Sequence, residues 1–175
     1  FTILAKSGLG QKDMEIEKKI IEYEYLQTYN NYQKFYNYHN KVDPVLPDNY
    51  YDPILIMDTD DDELFRHSRA YRNLIIENFR LSSKRELQHD PSLTIIDFVK
   101  DKISDIKSLD IREQFVSMLI RQMKEENMNI DDDYKKIMSL LSTERMKEKL
   151  RQRYSSAKST KAGLASVDFN YENFD

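Results

Sequence analysis

The residues best placed by type and spacing to do chemistry are acidic. Asp58, Asp60 and Asp62 alternate along Asp58-Thr59-Asp60-Asp61-Asp62, as the first oxygen ligands of a calcium loop do. Such a loop also needs glycine at its sixth position, for a sharp turn, and glutamate at its twelfth, to close the cage. Those positions here are Glu63 and Arg69, so the run does not make a calcium site. Asp131-Asp132-Asp133 fails likewise, because it leads straight into a helical pattern. Both runs read as acidic helix starts, where the helix dipole favours carboxylates.

Other chemistries are excluded on similar grounds. His39, His67 and His89 form no pair at metal-ligand spacing on a helix. Cysteine is absent, which removes disulfides, thiolate metal sites and thiol nucleophiles, and fits a reducing compartment, the nucleus or cytoplasm. Gly8-Leu9-Gly10 is neither a phosphate loop nor a dinucleotide fingerprint. No Gly-x-Ser-x-Gly elbow occurs. The expectation is therefore no catalytic residue, no metal and no cofactor. An enzyme remains an alternative only if its site is assembled in space from distant residues.

Two other kinds of surface remain. Arg145, Lys149, Arg151 and Arg153, with Lys147 and Lys158 alongside, make a basic helix, and Tyr154 has a ring that can stack on a base. Glu144 and Glu148 dilute this patch, and the chain is acidic overall, with a net charge of −4 and a pI near 5.5. A dedicated nucleic-acid domain has a high pI. The second surface is aromatic. Tyr is abundant, at 12 residues, and Trp is missing. The C-terminal run Asp168-Phe169-Asn170-Tyr171-Glu172-Asn173-Phe174-Asp175 interleaves acids with rings. Such a segment suits the groove of a histone or another basic partner, and equally suits docking on its own domain.

The elements that must position these groups are helices. Only three Gly and four Pro occur, too few for a loop-rich or β-rich chain. Asp13 to Asn40 reads as one long helix with Ile21, Tyr25, Tyr29, Tyr32, Tyr36 and His39 at steps of three and four. Ile20, Tyr23, Leu26 and Phe35 widen that stripe beyond half the girth of the helix. The stripe reads first as packing against the domain and second as a binding face. Residues 42–58 hold Pro44, Pro47 and Pro53 among apolar side chains, and are predicted to be a non-helical strap lying across the helices, with Ile54 to Met57 as a short strand if a partner strand exists.

Further helices are predicted over 59–80, from Ser83, and over 94–107, 110–127, 131–141 and 143–157, capped by Thr59, Thr94 and Asp110. The predicted fold is all-α: a long aromatic-rich N-terminal helix and a bundle of five or six shorter helices, over residues 13–157. Extended arms flank it, at 1–12 and, as a linker with the acidic-aromatic tail, at 158–175. The chain begins without Met and reads as part of a longer protein.

Charge is unevenly spread. Asp43 to Glu63 carries eight acids and no Lys or Arg, whereas Arg121 to Lys161 carries eleven bases against seven acids. Such asymmetry points to partner contacts. No apolar run approaches the roughly 18 residues of a membrane span, and no membrane contact is expected. The expected function is a non-catalytic adaptor or scaffold subunit of a larger intracellular, nuclear assembly, bound to other protein subunits. Its candidate contacts are Tyr29, Tyr32, Phe35, Tyr51, Phe169, Tyr171 and Phe174. The alternative is a nucleic-acid- or chromatin-associated module using the basic helix.

Overall fold

The computed structural model describes residues 8, 10–122 and 130–159. All regular structure among the described residues is helical, in eight helices. The first, α1 (Gln11–Asn40), has no internal Gly or Pro to break it and runs about 45 Å at 1.5 Å per residue. Gly10 stands at its cap and offers no side-chain acceptor, so Asp13 lies inside the first turn and not at the cap. Lys41 ends the helix in the left-handed region (φ 58°), returning its N–H to the Asn37 carbonyl at 2.7 Å. Pro44 then bars any continuation.

The strap is not wholly non-helical. Its second half turns at 48–51 and forms a single helical turn, α2 (Asp52–Leu55), and no strand forms at 54–57. Pro53 sits in the first turn, where a missing N–H leaves nothing unsatisfied. Nor does the strap bury its whole apolar length. Tyr50 and Ile54 are buried, while Val45 and Ile56 face water.

The helix predicted over 59–80 is two helices, α3 (Asp62–His67) and α4 (Arg69–His89). Ser68 stands between them in extended conformation (φ −108°, ψ 116°). Its hydroxyl accepts the Tyr71 N–H at 3.1 Å and caps α4. The Arg72 guanidinium donates to the carbonyls of Phe65 and Arg66, at 2.7 and 3.0 Å, groups that the end of α3 would otherwise leave bare. Asp61, not Thr59, caps α3, accepting the Leu64 N–H at 3.0 Å. No new helix starts at Ser83. Its hydroxyl donates to the Arg80 carbonyl at 3.1 Å, and α4 runs on to His89 before Asp90-Pro91.

The later helices are α5 (Ile95–Ser104), α6 (Leu109–Gln122), α7 (Ile130–Leu140) and α8 (Glu144–Ser159). Thr94 caps α5 as predicted, accepting the Asp97 N–H at 3.2 Å. Ser108 takes the place predicted for Asp110, accepting the Ile111 N–H at 3.3 Å. Seven helices therefore follow α1 among the described residues, because α2 arises within the strap and Ser68 divides α3 from α4.

Where one helical domain was expected over 13–157, the chain divides into two compact units between Phe115 and Val116. In the first unit α4 is central, with α1, α2, α3 and α5 against it. Tyr71, Leu74, Ile75 and Phe79 of α4 are buried. Phe79 stacks on Phe115 (centroids 5.2 Å apart) and meets Phe98 edge to face (5.5 Å). In the second unit α7 packs on α8, and Leu119, Ile137, Met146 and Leu150 are buried.

Candidate protein-interaction surface

α1 divides its girth between two uses. Ile16, Ile20, Tyr23, Leu26, Asn30 and Gln33, at steps of three and four, are half-buried or buried and face the first unit. Lys19 pairs with Asp61 at 2.8 Å. Tyr23 meets Tyr71 edge to face, with centroids 4.8 Å apart. The Tyr71 hydroxyl in turn accepts the Asp61 N–H and donates to the Asp58 carbonyl, both at 3.0 Å. Burial pushes the Tyr71 phenol far above its ordinary value, so it stays protonated and keeps donating.

The strap fastens to the same helix. Tyr50 stacks on Tyr29 (4.5 Å) and donates its hydroxyl to the Tyr29 carbonyl. The Tyr51 hydroxyl donates to Gln33 Oε1 at 2.7 Å. Two of the predicted partner contacts, Tyr29 and Tyr51, are therefore used within the chain. Rings at this spacing serve either purpose, and only the position of the strap decides between them.

The opposite face of α1 is open. Ile21 is 42% exposed, Tyr25 74%, Tyr32 47% and Phe35 57%, while Tyr38, 69% exposed, stands in line with Ile20 near the end of the helix. Thr28, His39 and Val42 are exposed as well. The line 21, 25, 28, 32, 35, 39 alternates steps of four and three, the repeat by which one helix seats another. It extends about 27 Å along the helix. Most of the stripe read as packing against the domain thus faces water, although Tyr29 and Tyr36 turn partly inward. Both faces of α1 are apolar, so periodicity alone does not choose between them. Tyr32 and Phe35, two of the predicted partner contacts, are exposed on this face. Ile21 and Tyr25 extend the surface, and their signal was the same three-four spacing. Phe169, Tyr171 and Phe174 lie outside the described residues.

The basic residues of α8 are largely occupied by neighbours. Lys149 donates to the Ser117 hydroxyl at 3.3 Å, and Arg153 donates to the Arg121 carbonyl at 3.4 Å. Arg151 pairs with Glu148 at 3.3 Å and Glu144 at 3.7 Å, and Arg145 is not free either. Tyr154 stacks on Tyr134 (4.1 Å), its hydroxyl donates to Asp131 at 2.7 Å, and Lys158 pairs with the same carboxylate at 2.9 Å. The structure brings the four predicted nucleic-acid contacts onto one helix, but four or more neighbouring groups already engage them.

The acidic run near Asp58 also serves the fold. Asp60 accepts the N–H groups of Lys107 and Ser108, at 3.0 and 2.9 Å, and Asp62 accepts the Ser108 hydroxyl at 2.7 Å. Among the described residues no group of three or more His, Asp or Glu is arranged to hold a metal ion. No described helix is long and apolar enough to cross a membrane. Compared with protein-family models, with curated proteins and with solved structures, the chain matches none.

Proposed function

We propose that this chain is a non-catalytic interaction subunit, an adaptor or scaffold of a larger intracellular, nuclear assembly, and that other protein subunits dock on the outward face of α1. The observation that carries this reading is the line of exposed Ile21, Tyr25, Tyr32 and Phe35. Scattered exposed hydrophobes are ordinary, but a contiguous row of large ones on a rigid helix has the composition of an interface core. Burying one such ring contributes roughly 1.5–3 kcal/mol, so two or three central rings would supply most of the affinity. The absence of cysteine, and an acidic-aromatic C-terminus suited to a basic partner such as a histone, support the nuclear placement.

The test is capture from native cell extract at low and high salt, with the wild-type chain and with Tyr32→Ser/Phe35→Ser. The expected result is a protein set that survives high salt and is lost with the double variant, while the helical circular dichroism is unchanged. Equal capture by both chains would overturn this surface. Recovery of nucleic acid alone, released at high salt, would overturn the function in favour of the basic α8.

A further inference from the structure

Between α1 and the turn at 48–51 the strap carries a short linear pattern, Lys41-Val42-Asp43-Pro44-Val45-Leu46-Pro47. Pro44 and Pro47 stand three residues apart, one turn of a polyproline helix, and Lys41 stands three before the first of them. The pyrrolidine rings fix φ at about −65° at both prolines. Asp43 and Leu46 each precede a proline, which pushes them out of the helical region towards extended and polyproline backbone. Four of the five residues 43–47 are restricted in this way, and none of the five belongs to a helix, strand or turn.

The segment is presented to solvent. Val45 is fully exposed, Lys41 and Pro47 are exposed, and Pro44 and Leu46 are half-buried. No hydrogen bond engages the backbone of Val45 or Leu46, so their polar groups are open to a partner. Both ends are nevertheless fixed. Asn37 Nδ2 donates to the Asp43 carboxylate at 2.8 Å. The Tyr50 N–H donates to the Pro47 carbonyl at 3.0 Å, and Tyr50 itself is buried. A peptide already held extended loses less conformational freedom on binding.

A basic notch lies beside the N-terminal end of the segment. A hollow of about 560 Å³ is lined by Gln33, Lys34, Asn37, Tyr38, Lys41 and Asp43. The Lys41 ammonium lies 4.8 Å from the centroid of the Tyr38 ring. Neither Lys34 nor Lys41 is ion-paired among the described residues, and the one acid of the notch, Asp43, is held by Asn37. Proline-spaced, polyproline-type peptides are recognised by grooves lined with aromatic rings. An acid at the end of such a groove would complement the two ammonium groups.

We propose that residues 41–47 are a docking peptide held ready on the surface of the first unit. Its partner is a protein domain with an aromatic-lined groove for Pro-x-x-P chains that ends in acidic side chains. This contact is separate from the outward face of α1 and does not depend on it.

The test is titration of the full chain against a panel of purified Pro-x-x-P-binding domains, some with acids at the end of the groove and some without. Acid-ended domains should bind in the micromolar range, and neutral-ended ones about tenfold more weakly. Pro47→Ala should weaken binding about tenfold. Pro47 is exposed, and the carbonyl that holds Tyr50 survives this change, so the helical circular dichroism should not move. Lys41→Glu should weaken binding by a similar factor, and Lys41→Arg should keep it. Tyr25→Ser, on the outward face of α1, should leave it unchanged. No binding by any domain at millimolar concentration, or binding that Pro47→Ala leaves untouched, would overturn the docking peptide. Equal binding by both kinds of domain would overturn the acidic partner. A loss with Tyr25→Ser would move the contact to the outward face of α1 and overturn the assignment to the strap.

Discussion

At Asn78 one buried amide closes the end of α2. Its Nδ2 donates to the carbonyls of Ile54 and Leu55, at 2.6 and 3.2 Å, which a one-turn helix cannot satisfy itself. Its own Oδ1 is buried without a partner. Asn78→Leu removes that orphan oxygen but bares two carbonyls, and a net loss of about 2 kcal/mol is expected in urea unfolding. An unmoved midpoint would mean that the clasp contributes nothing.

Asp61 ties α1 to the start of α3. Burial pushes its carboxyl up, but the Leu64 N–H and the Lys19 ammonium outweigh that and hold it below its ordinary 3.8. A carboxylate depressed in the folded state contributes stability that is fully present above the unfolded value. That stability is lost as pH falls through the lower folded value. Asp61→Asn should therefore destabilise the chain at neutral pH and flatten the acid limb of its stability curve below about pH 4. An acid limb as steep as that of wild type would show that the carboxylate is not held by these partners.

At the scale of elements, the break at Ser68 organises the first unit. A continuous helix over 59–80 would keep Leu64 and Tyr71 on one face of one axis. The extended Ser68 instead lets α3 and α4 take separate directions while both residues stay buried. Ser68→Ala removes the cap of α4 and should cost about 1 kcal/mol, with Ser68→Gly costing only a few tenths. Equal effects of the two substitutions would show that the hydroxyl does not act as the cap. The division of α1 into an inward and an outward face belongs to this scale too, because it depends on which side α4 and the strap occupy.

At the scale of the whole molecule, the aromatics separate into those that hold the fold and those that do not. Phe79 is almost fully buried between two other rings, so Phe79→Ala should cost about 3–5 kcal/mol. Tyr25→Ser, Tyr32→Ser and Phe35→Ser, measured in dilute solution, should each change stability by no more than about 0.5 kcal/mol. A drop of several kcal/mol for any of these three would place α1's outer rings in the fold itself and remove the basis for the docking surface.

The helical class, the long α1, the start of α5 at Thr94 and the stop at Asp90-Pro91 were legible in the sequence, because each follows from local chemistry. Scarce glycine and proline leave helices uninterrupted, and the Thr94 hydroxyl three residues ahead of Asp97 caps α5, whereas the same spacing at Thr59 and Asp62 makes no cap. The buried face of α1, the turn of helix at Asp52–Leu55, the break at Ser68 and the internal use of Tyr29, Tyr51 and the α8 cations were decided only by tertiary structure. In α1 the sequence offers apolar residues on nearly every side, and burial falls to whichever side meets α4. At Ser68 the local pattern fits a continuous helix, and packing of Leu64 together with the Arg72 cap tips the balance. For the tyrosines and arginines, side chains equally able to meet a partner or a neighbour meet the neighbour that the fold brings within hydrogen-bonding distance.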